Sequence, residues 1–289
     1  MSISIKEIQT LRRLTGVGIM DCKLALKEAD GDIEEAKRLL RIKGLNKTNK
    51  RADSETNEGI VAIYKDENVA SIILLSSETD FVAMNVKFSQ LACNIAKMAT
   101  ENLDKDKNEL LAVKYLESNN TLAEEIKETA FVMGENIALN KIDTLSINSG
   151  VISSYVHAGS VAGRMAALVA IESNSGVNED LKMLGHKIAM HVVATAPLAI
   201  DIDQLDPMIV ERECSVVREQ AIASGKPENI VEKIVEGRLN KFYQESVLLK
   251  QAYCANNSLS ISDLLMQYAK DHDVHPKIIA YKFYKVGEK

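Results

Sequence analysis

The sequence predicts an α+β protein: a three-helix amino-terminal unit, a duplicated core of antiparallel strands with helices, and an inserted helical, coiled-coil-like hairpin. Three observations point there. Apolar residues recur at helical spacing over the first 45 positions, then give way to dense runs such as Val69-Ala70-Ser71-Ile72-Ile73-Leu74-Leu75. The pattern that follows returns at an offset of 91 to 93 positions. Beyond Asp206-Pro207, apolar residues step by four and three on the way to Gly225-Lys226-Pro227, and more run back after it.

In chain order, Ser4 and Glu7 fit a capping box, and Ile5, Ile8, Leu11 and Leu14 form one helical stripe. Thr15-Gly16-Val17-Gly18 stops that helix, because glycine reaches the backbone angles of a sharp turn. Asp21 is expected to cap a second helix carrying Leu24, Ala25 and Ala29, and Asp32 a third carrying Ile33, Ala36, Leu39 and Leu40. The divisions expected are residues 1–45 for this unit and 46–58 for a linker. Core subdomain 1 is 59–149, core subdomain 2 is 150–205 with 250–289, and the hairpin is 206–249. The linker is polar, with Lys47, Lys50 and Arg51 in its first half, and reads as a solvated tether separating the first unit from the core.

After the tether, Gly59-Ile60-Val61-Ala62-Ile63-Tyr64 resembles Gly150-Val151-Ile152-Ser153-Ser154-Tyr155. The run Ser71 to Leu75 matches Met165 to Ile171, and Leu91-Ala92-Cys93-Asn94-Ile95-Ala96 matches Leu184-Gly185-His186-Lys187-Ile188-Ala189. In copy one the strand is joined to the helix by Glu78-Thr79-Asp80-Phe81-Val82-Ala83; copy two has Glu172-Ser173-Asn174-Ser175-Gly176. A large apolar loop residue ordinarily folds back onto the core. Copy two carries no aromatic there, so the scaffold does not require Phe81, which reads as an addition for function. Leu122 to Asn140 is expected to be helical, with Gly134 marking either the approach of another surface or the helix end. Asp206-Pro207 starts the hairpin, whose seam is expected to hold Val210, Cys214, Val217, Ala221 and Ser224 against Val231, Val235, Arg238 and Phe242. Ser258 to Val286 returns to core-like sequence.

The composition narrows the function. The chain has 289 residues, 46% hydrophobic but only 4% aromatic, with no Trp and a net charge of −6. Too few aromatic platforms and too little positive charge are present for direct nucleic-acid binding, so the expected partner is a protein. Cys22, Cys93, Cys214 and Cys254 are far apart with no C-x-x-C pair, as free thiols in a reducing cytoplasm would be. No apolar run reaches the length of a membrane span, and the first residues lack a signal-peptide core. An acid–base enzyme using Asp80 with His157 or His191 is conceivable, but no phosphate loop, nucleophile elbow or metal-ligand spacing supports one. His191 on an amphipathic helix reads as a satisfied core histidine. No enzyme activity, cofactor or metal is expected.

Two stretches carry a family resemblance. Leu11-Arg12 through Thr15-Gly16-Val17-Gly18-Ile19-Met20-Asp21-Cys22-Lys23-Leu24-Ala25-Leu26 resembles the amino-terminal signature of the bacterial elongation factor Ts family, and Thr79-Asp80-Phe81-Val82-Ala83 is similar to its second signature. Gly134-Glu135-Asn136-Ile137, Tyr155-Val156-His157, Ile188-Ala189-Met190-His191 and Lys226-Pro227 through Glu236-Gly237-Arg238 extend the match in order. The resemblance implies a ubiquitin-associated-like three-helix domain, a duplicated α+β core and a dimerisation hairpin supporting a weak homodimer. It implies nucleotide exchange on the GTPase elongation factor Tu, in the cytoplasm, with no nucleic acid or membrane bound directly. By the same resemblance Thr79, Asp80, Phe81 and Val82 form the loop that disturbs the GTPase's Mg²⁺ site. Met133, Gly134 and His157 line the same contact, and Arg12 and Met20 touch the GTPase domain from the other side. Gln251-Ala252-Tyr253-Cys254 departs from the family's usual Gln-Pro-Phe-Val, and Ile19 stands where methionine is common. The last strand is expected to end near Lys289, leaving no counterpart to the carboxy-terminal helical module of some members. A ubiquitin-binding scaffold is the remaining alternative.

Overall fold

A computed structural model describes residues 3–51, 54–116, 118–174, 178–225 and 227–288. The first unit is α1 (Ile5–Thr15), α2 (Ile19–Glu28) and α3 (Ile33–Arg51). The Ser4–Glu7 capping box is formed, and Gly16 ends α1 at φ 72°. Asp32 starts α3 by accepting the Glu34 and Glu35 amides at 2.8 and 3.0 Å. Asp21 does not cap α2, which begins two residues earlier with Gly18 at the N-cap. Ile8, Leu11, Cys22, Ala25, Leu26, Ala36 and Leu40 make the small core. Ile5, Leu14 and Leu24 point outward, because helices packed in so small a unit each bury only a narrow strip.

The linker differs from expectation. Helix α3 runs on through Arg51, since residues 45–51 contain neither Gly nor Pro and extending an existing helix adds one hydrogen bond per residue fixed. The side chains of Lys47, Lys50 and Arg51 lie outside the described residues. Nor is the unit held off the core. Gly44 lies so close to the Phe131 ring that an added Cβ would sit 2.7 Å from it, and Phe131 and Val132 pack on the helical cluster.

The core contains β1 (Glu58–Asp66), β2 (Val69–Ser77), α4 (Asp80–Ala83), α5 (Val86–Glu101), α6 (Lys107–Leu111), α7 (Leu122–Met133) and β3 (Ile137–Ser146). Then come β4 (Gly150–Val156), β5 (Ala162–Gly163), β6 (Met165–Glu172) and α8 (Glu179–Thr195). Two antiparallel sheets result, ordered β3-β2-β1-β5 and β4-β6 with a third strand, β9, described below. On β2, Ile73 and Leu75 face α5, while Ile72 and Leu74 face the other sheet. On β6, Val169 and Ile171 face α8, while Leu168 and Ala170 face back. Residues of opposite parity are thus buried on both faces, giving helix, sheet, sheet and helix layers.

The duplication is visible at its first residues. Gly59 and Gly150 open equivalent strands at φ 141° and 128°, where a Cβ would lie 2.2 Å from the Leu75 carbonyl oxygen and 2.0 Å from that of Ile171. Helix α7 ends at Met133, with Gly134 as a left-handed cap at φ 77° and open space around it. The helix end is therefore the correct reading of that glycine, and Ile137 to Asn140 is strand rather than helix. Its buried residues, Ile137 and Leu139, recur at the strand period of two.

The hairpin is α9 (Pro207–Ala223) and α10 (Glu228–Ser246), with Asp206 accepting the Met208 amide at 2.9 Å. Val217, Ala221, Val231 and Val235 close its seam, joined by Cys214 and Ile234. Ser224 and Arg238 are exposed instead, and Val210 and Phe242 pack at the root around Ala199, Leu205 and Val247. Lys226 at the turn and Ser175-Gly176 after β6 lie outside the described residues. The chain finishes with β7 (Ala252–Tyr253), β8 (Asn256–Ser260), α11 (Ile261–His272) and β9 (Lys277–Lys285), which pairs antiparallel with β6. Copy two thus receives its third strand only after the hairpin. The four cysteines are free, and among the described residues no helix is long and apolar enough to cross a membrane.

Candidate functional site

The connection from β2 to α5 is a single helical turn held from outside itself. A four-residue turn falls short of the length at which helix formation sustains itself. Its first internal bond, Ala83 amide to Thr79 carbonyl, is 3.4 Å long. Thr79 occupies the N-cap but does not cap the turn, because its hydroxyl and amide both donate to Glu135, at 2.5 and 2.9 Å. In return Glu78 accepts the Asn136 amide at 2.6 Å, and Asn136 Nδ2 donates to the Ser54 carbonyl at 3.0 Å. The Ser77 hydroxyl donates to the Thr79 carbonyl at 2.9 Å.

Held in this way, the turn divides its side chains. Val82 and Ala83 drop into the core beside Phe88, whereas Asp80 is exposed and Phe81 keeps 80% of its surface in solvent. Val82, expected in the contact loop, is therefore a core residue, since the 100° step from Phe81 turns it away from solvent and onto the core-facing side. Two apolar neighbours were missed. Met84 is 70% and Val86 81% exposed, flanking Asn85, which caps α5 by accepting the Lys87 amide at 2.9 Å. The signal available was their placement around an N-cap whose helix buries Phe88 and Leu91 instead.

A cleft beside the turn, lined by Gly59, Asp80, Met84, His157, Arg164 and Lys285, brings Asp80 and His157 to one place. His157 is exposed and its Nδ1 lies 3.2 Å from the Tyr155 hydroxyl. Arg164 pairs with Glu58, a hydrogen bond that raises its pKa, with the Asp80 charge adding to the effect. Met133 is half-buried on the core, and Gly134 stands next to the Glu135 that holds Thr79. Arg12 and Met20 are exposed on the first unit, whose Gly16 turn comes up against Val132 and Lys87. That turn therefore abuts the start of α5, and Leu14, Ile19 and Leu24 add exposed apolar surface to Met20.

Among the described residues no hydrogen bond joins Asp80 to His157, and no group of three or more His, Cys, Asp or Glu is placed to hold a metal. His191 is a buried core histidine. Its Nδ1 accepts the Cys254 amide at 3.2 Å, which assigns the ring proton to Nε2, donating to Gln251 Oε1 at 3.0 Å. Burial lowers its pKa, partly offset by the Gln251 bond. His272 stacks on Tyr268, with ring centroids 4.2 Å apart, and His275 is exposed.

The family model described as elongation factor TS matches residues 78–288 of this chain. The chain is 40% identical over 290 residues to the elongation factor Ts of Ehrlichia canis (strain Jake), covering 100% of both proteins. It is 40% identical over 291 residues to that of Mesorhizobium japonicum, covering 100% of this chain and 94% of the relative. Against that of Anaplasma marginale (strain Florida) the identity is 38% over 291 residues, covering 99% and 100% respectively.

Proposed function

The chain belongs to the elongation factor Ts family of translation elongation factors, and from that premise we propose that it is a guanine-nucleotide exchange factor for the GTPase elongation factor Tu. The observation that carries the proposal is Phe81, an exposed aromatic on a turn whose next two residues are buried and whose backbone is clamped from a neighbouring connection. Asp80 and Phe81 enter the GTPase domain near the nucleotide's Mg²⁺. Met133, Gly134 and His157 border the same contact, and Arg12 and Met20 make a second one. Met84 and Val86 widen the apolar face that Phe81 presents.

Bound Mg²⁺ neutralises the GDP phosphates and fixes the loops around them, so release is slow. A factor that binds the empty GTPase more tightly than the loaded one weakens GDP by the same ratio. Burying a side chain such as Phe81 contributes roughly 1.5–3 kcal/mol, about one to two orders of magnitude in an equilibrium constant. Only the part gained when the metal site is distorted shifts the equilibrium. No covalent bond forms or breaks, so the protein acts as a binding factor rather than an enzyme, in the cytoplasm where translation takes place. The hairpin serves a weak homodimer, and residues 1–45, 59–149, 150–205 with 250–289, and 206–249 are the functional divisions.

Release of fluorescent GDP from purified elongation factor Tu tests the proposal. Addition of this protein is expected to accelerate release, saturably with its concentration. Unaltered release at saturating protein would refute it.

A further inference from the structure

The β2–β3 ladder has its last backbone pair at Ser77 and Ile137. Beyond that pair the two chains continue to be cross-linked, but by carboxylates. Glu135, leading into β3, takes the amide and hydroxyl of Thr79; Glu78, leaving β2, takes the amide of Asn136. The two side chains reach across in opposite directions, so each connection is held by a group belonging to the other. All four residues are half-buried, which limits competition from water.

We infer that Glu135 is a positioning residue for nucleotide exchange, setting the direction in which Asp80 and Phe81 project through its paired bonds to Thr79; the inference rests on the exchange function proposed above. Asp80 follows Thr79 directly; the first bond of their turn, Ala83 to Thr79, is long at 3.4 Å, whereas the Met84 amide reaches the Asp80 carbonyl at 2.9 Å, so orienting Thr79 orients a turn that is closed behind it. A carboxylate accepting from the amide and hydroxyl of one residue fixes both the backbone and the χ1 rotamer there. Holding a recognition group in its bound direction reduces the ordering cost of docking. The same carboxylate follows Gly134, so the two connections that border the proposed GTPase contact are braced against one another.

The test uses full-length protein and the rate of fluorescent-GDP release from elongation factor Tu, measured against factor concentration. Glu135→Ala is expected to lower the maximal rate about tenfold, the size expected when a hydrogen bond to a charged group is lost. The concentration giving half the effect should change far less. Glu135→Gln, which keeps one acceptor, should recover part of the loss. In an Asp80→Ala, Phe81→Ala background Glu135→Ala should slow release little further, because its effect passes through the residues already removed. A normal maximal rate for both Glu135 variants, or a Glu135→Ala loss that persists undiminished in that background, would overturn the positioning role alone. If Phe81→Ala itself leaves release normal, the exchange reading fails and the positioning role falls with it.

Discussion

Phe81 and Phe88 are the same residue seven positions apart, the one 80% exposed and the other fully enclosed among α5, β1 and β2. That contrast separates function from stability. Phe88→Ala removes a packed ring, at a cost of about 3–5 kcal/mol, and is expected to lower the melting temperature on the order of 10 °C. Phe81→Ala removes a solvated ring and should melt within about 1–2 °C of the parent, while its maximal GDP-release rate falls at least tenfold. Melting and release measured on the same two preparations decide the matter. A Phe81→Ala protein that melts like Phe88→Ala and exchanges normally would make Phe81 structural. Phe81 was legible because copy two joins its strand and helix without an aromatic. The inward turn of Val82 was not, since one helical turn is too short to show a period. Glu135 and Glu78 were invisible as clamps because their partners lie 56 and 58 positions away in sequence.

Among elements, the hairpin was foreseen from its spacing, yet the spacing alone could not distinguish a seam closed within one chain from one open to a second. Val217 faces Val231 and Val235 inside the hairpin, beside a bidentate Arg218–Glu232 pair with both bonds at 3.1 Å. Val217→Glu would bury a charge there and reduce helicity whatever the oligomeric state. The exposed side, with Val216, Ile222 and Ile230, is what a homodimer would use. Ile222→Glu is expected to abolish self-association in sedimentation without loss of helicity; unchanged association would place the interface elsewhere. The hairpin's base carries a pH signature. His191 on α8 holds Gln251, whose Nε2 donates to the Glu245 carbonyl at the end of α10. Protonating Nδ1 would set a donor against the Cys254 amide. The native pKa lies below the unfolded one, so the unfolded state binds the extra proton first. The contribution is therefore complete above the unfolded value near 6.5 and declines as pH falls from there through the lower native value. His191→Gln should flatten the difference in melting temperature between pH 7.5 and 5.5. An equal pH dependence in both proteins would remove His191 as its source.

Across the whole molecule, the duplicated core of strands and helices was readable from the doubled pattern, but the face-to-face stacking of the two sheets was not, although strands buried on both faces do read as dense apolar runs. The placement of the first unit was not readable. A polar stretch suggests a tether, but Phe131 and Val132 on α7 supply a docking surface that no local pattern of residues 1–58 reveals. Arg41 on α3 adds a hydrogen bond to Asn120, which also donates to Glu128 at 3.0 Å. A chain beginning at Ser54 keeps both sheets, every member of their apolar clusters, and the Ser54 carbonyl that receives Asn136. It is expected to fold but to expose Phe131 and Val132, binding more of a hydrophobic dye than the parent does. Since the turn carrying Phe81 is built wholly from residues after Ser54, its maximal rate of GDP release should stay close to normal. The exposed Arg12, Leu14 and Met20 are lost with the first unit, so the concentration needed for half that rate should rise at least tenfold. A collapse of the maximal rate at saturating truncated protein would show that the first unit takes part in expelling GDP, and the division between an affinity surface and an exchange turn would be wrong.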